Sequence, residues 1–421
     1  MLGHHYVAVL VAMATSAHCQ QAATDPHQVA DAIHARLLTL DTHKDIDPRL
    51  APDELPSDPV TREEFRARFD PTVRGKAQVD FVKMREGGYD CAFFIVYVDQ
   101  RQLTDGAYQR AYVEAGAKFD AIHRMAKKHG DIIGLATSAD AVEQLHRDGK
   151  LIACIGIENG YPMGLDLARI NEFHGRGARY MSITHNGHTQ LGDSHTPSAP
   201  LHGGLSELGK QAIAEMNRVG IMVDVSHAAK TTMLQAVAHS QAPVIASHSG
   251  ARAIADHTRN LDDEQLRALA AKGGVVQCVA LADFVKVDPA RAAAVTAWMT
   301  ECGVSRSGTD DAPAAEREQR RQKFRDGMPA IDAKFPRAAV SDFVDHIDHV
   351  VKTIGIDHVG IGSDFDGGGG ITGWSDASES KNVTRELVRR GYTEAQIGKI
   401  WSGNLLRVWR AVEQAAKAKS R

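Results

Sequence analysis

The chain has 421 residues, and its hydrophobic fraction of 43% is enough to fill a sizeable core. Its 49 basic and 53 acidic residues give a net charge of −4 without a long block of one sign. This balance argues against nucleic acid or a charged membrane surface as a partner, and it favours a small neutral or zwitterionic ligand. The five cysteines lack CxxC spacing, whereas the 21 histidines are an unusual number of potential metal ligands.

The first residues resemble a secretory signal peptide. An apolar run from Tyr6 to Ala14 precedes small residues and a polar segment, and it is too short to span a bilayer. We therefore expect residues 1–22 to be a signal peptide that exports the protein to the periplasm or the medium. Residues 23–421 are expected to form a single domain without a transmembrane segment.

Eight buried strands alternate with helices along the rest of the chain. The strands are predicted at 37–41, 91–98, 151–158, 180–184, 221–225 and 243–246, within 271–284, and within 358–370. Helices are predicted at 28–36, 62–68, 107–129, 139–148, 205–219, 228–240, 340–354, 393–401 and 404–417. This alternation predicts an α/β fold of the (β/α)8 barrel type, and the charged, Ala-rich stretch 289–336 predicts a helical insertion before strand 8.

Ligand-type side chains follow six of these strands. They are His43 and Asp45 (strand 1), Glu158 (strand 3), His185 (strand 4), His227 (strand 5), His248 (strand 6) and Asp364 (strand 8). The carboxyl ends of parallel barrel strands meet at one rim, where the active sites of such barrels lie. This set exceeds the needs of one ion, so it predicts two divalent ions that share a carboxylate and keep an open position for water or substrate.

Two spacings strengthen this prediction. Residues two apart in an extended segment face the same side, so His43 and Asp45 offer one nitrogen and one carboxylate together. His227 and His248 each end a strand in a Ser-His pair, with a helix between the two strands. The neighbouring His188, His195 and His202 lie in a polar, Gly/Ser-rich loop, where solvated or supporting roles are expected.

Eight motifs, in order from Leu37 to Trp409, carry a family resemblance. They are LDTHKD, IGIENG, YMSITHNG, IMVDVSH, PVIASHS, HTRN, GSDFDG and GNLLRV. Together they resemble the renal (membrane) dipeptidase family of the amidohydrolase superfamily, in a bacterial-type exported member.

The resemblance implies a binuclear zinc dipeptidase and assigns roles to residues of this chain. One Zn²⁺ is expected on His43, Asp45 and the bridging Glu158, and the other on Glu158, His227 and His248. The catalytic residues are then expected to be Glu158, His185 and Asp364, with Asp364 handling the proton. His185 is expected to bind the scissile carbonyl oxygen, and Arg259 the free carboxylate of the dipeptide. Relatives are often homodimers.

General chemistry is consistent with this reading. Two divalent ions bring the pKa of a bridging water close to neutrality, which gives a hydroxide that attacks the amide carbon. A metal and His185 can stabilise the charge that grows on the carbonyl oxygen, and Asp364 can pass the proton to the leaving amine. The planar, permanently charged guanidinium of Arg259 matches a carboxylate.

Two alternatives stay open at this point. The first keeps the metals and changes the substrate to an N-acyl amino acid or a lactone. The second is a non-catalytic, metal-dependent binding or structural protein. The presence of every acid needed for proton transfer disfavours it.

Overall fold

The strands form one parallel sheet that curls into a nearly closed barrel. The structure is a computed structural model, and it describes Met1, residues 25–304 and residues 314–419. The strands are β1 (Leu40–Asp45), β2 (Cys91–Tyr97), β3 (Ile133–Leu135), β4 (Leu151–Glu158), β5 (Ala178–Ser182), β6 (Met222–Asp224), β7 (Ile245–Ala246), β8 (Val275–Val279) and β9 (Val359–Gly362). Eight of them follow the order β1-β2-β4-β5-β6-β7-β8-β9, and β3 pairs with the first residues of β4. The predicted (β/α)8 fold class is confirmed, with β3 as an additional short strand.

Helices surround the strands. They are α1 (Pro26–His34), α2 (Pro59–Phe69), α3 (Phe81–Gly87), α4 (Asp105–Lys128), α5 (Ala139–Arg147), α6 (Ala168–Gly175), α7 (Glu207–Val219), α8 (Lys230–His239), α9 (Asp263–Ala271), α10 (Ala282–Val285), α11 (Pro289–Cys302), α12 (Ala314–Lys334), α13 (Val340–Ile354), α14 (Lys381–Arg389), α15 (Glu394–Gly398) and α16 (Asn404–Lys419). Local sequence sets many of their ends. For example, α7 begins after Ser206, whose hydroxyl accepts from Gly209 N at 2.9 Å, and it ends at Gly220 with φ 94°.

The barrel closes between β1 and the residues just after β9. The backbone N–H of Asp45 donates to Phe365 O at 2.8 Å, and the N–H of Asp364 donates to His43 O at 3.1 Å. These bonds bring the first and last strand ends of the chain to one edge. The barrel closure therefore places His43, Asp45 and Asp364 side by side.

One strand boundary corrects the prediction. β1 was expected at 37–41 with His43 and Asp45 beyond it, but it runs from Leu40 to Asp45 and includes both. The strand continues because Lys44 and Asp45 pair with Phe94 and Ile95 of β2, after a register shift that follows Asp41. A strand holds both side chains more firmly than a loop would.

Apolar side chains fill the barrel interior at the amino-terminal end of the strands. Along β2 the alternate residues Cys91, Phe93 and Ile95 join an inner cluster, while Ala92, Phe94 and Val96 pack outward against the helices. Trp409 of α16 closes this inner cluster, with its ring 5.6 Å from Phe93. Apolar side chains therefore fill the barrel at the amino-terminal end of its strands, and the polar side chains lie at the opposite, carboxyl-terminal rim.

The predicted insertion before the last barrel strand is helical. The helices α11 and α12 lie between β8 and β9 in the chain, and Trp298 Nε1 of α11 donates to Phe324 O of α12 at 3.0 Å. Residues 305–313, between these helices, lie outside the described residues.

The predicted signal peptide, residues 1–22, lies outside the described residues apart from Met1. Its export function, the domain division and the homodimer stay predictions. Among the helices that the structure describes, none combines the length and the apolar character needed to cross a membrane.

Substitution of Gly156, on β4, would test how tightly the barrel interior is packed. A Cβ at Gly156 would overlap with the ring of Tyr180, whose hydroxyl lies 3.0 Å from Nδ1 of His43. We expect Gly156→Ala to lower the free energy of unfolding by about 1–3 kcal/mol, because overpacking forces neighbours out of place. The measurement is the urea midpoint at unchanged m-value.

The matched control is Gly175→Ala, since a Cβ there meets no heavy atom within 4 Å. Its unfolding free energy should stay within about 0.5 kcal/mol of the wild type. Equal stability of the Gly156 and Gly175 variants would contradict the packing described for Tyr180.

Candidate metal centre

Glu158 is the centre of a cluster of imidazoles at the carboxyl end of the barrel. It is the last residue of β4 and is 4% exposed. Its Oε1 lies 2.9 Å from His227 Nε2 and 3.2 Å from His248 Nε2. Its Oε2 lies 3.4 Å from His43 Nε2, and the Nε2 atoms of His227 and His248 are 3.0 Å apart. Three ring nitrogens from separate parts of the chain therefore converge on one carboxylate.

Hydrogen bonds on the far side of the His43 ring fix its tautomer. His43 Nδ1 lies 3.0 Å from the hydroxyl of Tyr180, which donates its own hydrogen to Thr42 O at 2.9 Å. Because Tyr180 has one hydrogen, it must accept from His43. Nδ1 of His43 therefore carries a hydrogen, and Nε2 is left to face the cluster.

The other two histidines are oriented in the same way. Nδ1 of His227 lies 3.1 Å from the side-chain oxygen of Asn186, which can only accept. Nδ1 of His248 lies 2.8 Å from Ser247 Oγ, and this hydroxyl donates to Asp224 Oδ2 at 2.6 Å. The Nε2 atoms of all three rings therefore face the same carboxylate.

Two aspartates complete the cluster on the side of His43. Its Nε2 lies 3.6 Å from Asp45 Oδ2 and 4.0 Å from Asp364 Oδ1. Asp364 is buried, and burial raises the pKa of its carboxyl to about 8; the charges of Asp45 and Glu158 add to this rise, while His43 opposes it.

The donor atoms fall into three groups that could each hold a divalent ion. Within each group one ligand atom per residue lies within 4.8 Å of the others. The groups are His43, Glu158 and His248; Glu158, His185 and His227; and His43, Asp45 and Asp364. Glu158 and His43 each belong to two of these groups, so the three groups share donors.

The charge of the cluster calls for cations. Nε2 of His43 is buried without a hydrogen-bond partner in the described part of the chain. Burial alone would lower the pKa of His43, but the carboxylates of Glu158 and Asp45 outweigh it and raise this pKa well above its usual range. Burial lowers the pKa of both His227 and His248, which keeps these rings neutral. Neutral imidazoles with carboxylates are the donors that zinc-type ions prefer.

Unusual backbone conformations coincide with the cluster. His227 has φ 64°, Asp364 has φ 61°, and Asn159, which follows Glu158, has φ 76°. A positive φ in a residue other than glycine costs on the order of 1–3 kcal/mol and collects at functional sites. The fold therefore accepts local strain to aim these side chains.

His185 occupies the more open side of the cluster. Its Nε2 lies 3.9 Å from Glu158 Oε1, and its side chain is 20% exposed. Its ring lies 4.7 Å from the ring of Tyr97 and 4.3 Å from that of His227. Burial lowers the pKa of His185 although Glu158 raises it, so the ring can meet a ligand in its neutral form.

Arg259 lies close to the cluster but deep in the protein. It is 2% exposed, and its Nη1 donates to Ser249 Oγ at 2.7 Å. Its Nε and Nη2 have no hydrogen-bond partner among the described residues, and its Cζ lies 5.7 Å from the centre of the Phe284 ring. Burial lowers the pKa of Arg259 to about 10, so the guanidinium remains charged at neutral pH.

A cavity of about 800 Å³ opens onto the cluster. Its wall includes Glu158, His185, His227, His248 and Asp364, and it continues along α2 and α4. Phe284 lines this cavity, whereas Arg259 does not. This volume accommodates a ligand of the size of a short peptide.

The seven strand-end residues predicted from the sequence therefore lie together, and their roles as ligands and catalysts stay predictions. The groups that orient the imidazoles were not predicted: Tyr180, Asn186, Ser247 and Asp224. The Ser-His pairs gave a signal for Ser247, since a hydroxyl precedes the ligand in each pair. The loop histidines contact other polar groups: His188 Nε2 lies 2.8 Å from Ala199 O, His202 Nε2 2.8 Å from Thr189 O, and His195 Nδ1 3.0 Å from Thr258 Oγ1. Their supporting roles stay predictions.

A parallel barrel that carries this cluster at its carboxyl rim is typical of metal-dependent enzymes. The model of the membrane dipeptidase family (Peptidase family M19) matches residues 27–421. The chain is 32% identical to Dipeptidase aclJ of Aspergillus oryzae over 359 residues, which are 84% of this chain and 74% of the relative. It is 30% identical to Dipeptidase tcpJ of Claviceps purpurea over 83% of this chain and 72% of the relative.

A solved structure agrees with these relatives. The crystal structure of the probable dipeptidase PvdM from Pseudomonas aeruginosa is 30% identical, with a TM-score of 0.78, and the match covers 93% of this chain and 99% of PvdM. The chain therefore belongs to the membrane dipeptidase family, and it is a metallo-dipeptidase.

The hydroxyl of Tyr180 provides a test of the imidazole orientation. Tyr180→Phe removes the acceptor for Nδ1 of His43 and leaves its ring free to take the other tautomer. If His43 is a metal ligand, we expect the affinity for a divalent ion, measured with zinc, to fall about 10–100-fold, the usual cost of losing a group that orients a ligand. A competition titration against a chromogenic chelator measures this affinity.

Tyr392→Phe is the matched control, because its hydroxyl donates to Asp348 on the outer helices at 2.6 Å. Its zinc affinity should equal that of the wild type. If Tyr180→Phe also binds zinc as the wild type does, the orienting role of Tyr180 is wrong.

Proposed function

We propose that this metallo-dipeptidase hydrolyses dipeptides with a free C-terminal carboxylate and uses two zinc ions. The observation that carries the proposal is the position of Glu158, whose two oxygens face imidazole nitrogens on opposite sides: His227 and His248 at Oε1, and His43 at Oε2. A carboxylate in this position is able to bridge two ions.

His43, Asp45 and Glu158 would hold one ion, and Glu158, His227 and His248 the other. The orphaned Nε2 of His43 and the convergence of the three Nε2 atoms support this assignment. When bound, a pair of divalent ions would polarise the scissile carbonyl and lower the pKa of a shared water.

His185 and Asp364 would act on the substrate directly. His185 lies on the open side of the cluster and would donate a hydrogen bond to the carbonyl oxygen as negative charge develops there. Asp364 would accept the proton of the attacking water and give it to the leaving amine. Burial raises the pKa of Asp364, so its carboxylate is a stronger base than an ordinary one and can retain the proton until the amine leaves.

Arg259 would bind the C-terminal carboxylate. Its Nε and Nη2 are two adjacent donors without partners, and a buried guanidinium without an anion is costly unless a ligand supplies one. Arg259 does not itself line the cavity, but its Cζ lies 5.7 Å from the ring centre of Phe284, which does.

The substrate class is tested with Arg259→Met and a panel of substrates. Wild-type enzyme loaded with zinc should cleave Ala-Ala and should cleave Ala-Ala amide, N-acetylalanine, a simple lactone and Ala-Ala-Ala much more slowly. Arg259→Met should lose about 100-fold or more in kcat/KM for Ala-Ala, because a charged hydrogen-bond pair is lost, and far less for the amide.

Arg252→Met is the control, since Arg252 is exposed and pairs with Asp256 at 2.7 Å. Faster turnover of N-acetylalanine or the lactone than of Ala-Ala would contradict the proposed substrate class and favour an N-acyl amino acid or a lactone as the substrate. If Arg259→Met and the wild type have equal kcat/KM for Ala-Ala, Arg259 does not bind the substrate carboxylate.

The proton-transfer role is tested with Asp364→Asn. The amide keeps the size of the side chain but cannot accept the proton, so kcat should fall by about 100–10,000-fold while zinc content is retained. Asp366→Asn, two residues away and paired with Lys44 at 3.1 Å, should cause a far smaller loss. Normal turnover by zinc-loaded Asp364→Asn would show that another group carries the proton.

A further inference from the structure

A buried lysine without a carboxylate partner lies in the wall of the cavity. Lys118, on α4, is 8% exposed and lines the cavity. It forms no ion pair with any described residue, and its Nζ lies 5.3 Å from the centre of the Tyr97 ring. Lysines are rarely buried without a partner, because burial of an unpaired charge is unfavourable. The aromatic face of Tyr97 compensates for part of this cost.

The surrounding wall contains further cations without carboxylate partners. Arg68 of α2 and Lys76 of the following loop are exposed, line the same cavity and form no described ion pair. We call Tyr97, Lys118, Arg68 and Lys76 the cationic wall. By contrast, two acids of the cavity already have partners, since Asp47 bonds Arg49 at 2.7 Å and Asp80 bonds Lys83 at 3.0 Å.

Glu114 is a candidate ion-pair partner for Lys118 on the same helix. It lies one helical turn before Lys118 and also lines the cavity, but it is exposed and the two do not form an ion pair. Burial lowers the pKa of Lys118 more strongly than nearby carboxylates raise it, and those carboxylates are, in order of effect, Asp45, Glu114, Glu158 and Asp47. No described ion pair joins any of them to Lys118. The ammonium therefore remains available to an anion in the cavity.

The barrel order places the cationic wall opposite Arg259. Tyr97 ends β2 and α4 follows it, whereas Arg259 follows β7; these two strands are four positions apart in the eight-strand order. The metal cluster lies between them. The ring centre of Tyr97 is 4.7 Å from that of His185, which lies at the edge of the cluster. A dipeptide with its C-terminal carboxylate at Arg259 and its amide at the cluster therefore extends its amino-terminal residue toward Lys118.

We propose that the cationic wall is a subsite for a carboxylate on the side chain of the amino-terminal residue, so that Glu-Xaa and Asp-Xaa dipeptides are preferred. This inference rests on the proposed function, because it takes the direction of the substrate from Arg259. An acidic side chain would pair with the Lys118 ammonium in a partly desolvated site, where such a bond is stronger than in water.

The experiment compares kcat/KM for Glu-Ala with that for Gln-Ala, which has the same shape without the charge. Zinc-loaded wild type should prefer Glu-Ala by about tenfold or more, the usual gain from a charged hydrogen bond. Lys118→Met should reduce the ratio to near 1, mainly through a higher KM for Glu-Ala. Lys118→Arg keeps a cation and should keep most of the preference.

Lys127→Met is the matched control, since Lys127 is exposed on the same helix and does not line the cavity. It should keep both the activity and the ratio of the wild type. Turnover of Gln-Ala shows that the Lys118→Met protein is folded. If that variant does not fold, Lys118→Gln replaces it: the inference then expects Lys118→Arg to keep the preference for Glu-Ala and Lys118→Gln to lose it.

Two negative results have different meanings. A wild type that cleaves Glu-Ala and Gln-Ala equally well, or a preference that survives Lys118→Met, overturns the inference and leaves the dipeptidase proposal intact. If zinc-loaded wild type cleaves neither of these dipeptides nor Ala-Ala, the proposed function fails and the inference fails with it.

Discussion

The arrangement of the site depends on one buried carboxylate, Glu158, that faces the Nε2 atoms of three imidazoles. The carboxylates of Glu158 and Asp45 both raise the pKa of Asp364, because like charges this close repel one another without positive charge beside them. Hydrogen bonds to the opposite nitrogen of each ring prevent the rings from turning away. The folded chain therefore keeps an anionic, electron-rich centre in place, and divalent cations are the natural complement of such a centre.

The rest of the barrel serves to hold this centre still. The lower half is filled by alternate strand residues such as Phe93 and is closed by Trp409, so the strands cannot shift relative to one another without disturbing a packed core. At the upper rim the same strands end in residues such as His227 and Asp364, whose φ values are positive. Local strain at the rim is tolerable because the packed interior below it provides the stability.

Much of the fold, and the set of polar residues that cluster at the rim, could be predicted from the sequence. Buried apolar runs that stop at a His, Asp or Glu give both the strands and the rim, since every parallel strand points its carboxyl end the same way. The extent of β1 was less predictable, because its continuation through Asp45 depends on pairing with β2 and with Phe365. Helix α9 was not predicted although its capping box, Asp262 with Gln265, is present in the sequence.

The groups that orient and extend the site could not be predicted from spacing. Tyr180 contacts His43 from across the barrel, and that distance is set by how the sheet closes rather than by any local pattern. Lys118 belongs to a helix whose charged residues are mostly exposed, so nothing in the periodicity of α4 distinguishes it from Lys127. Contacts of this kind depend on the three-dimensional closure of the barrel, so the structure is needed to identify them.

The central claim, that Glu158 is shared by two metal ions, is tested most directly by anomalous diffraction. Crystals grown with zinc would be measured on both sides of the zinc absorption edge. Two anomalous peaks should lie on opposite sides of the Glu158 carboxylate, one beside His43 and Asp45 and the other beside His227 and His248. A map without a peak at Glu158, or with the three imidazoles turned away from it, would contradict the account.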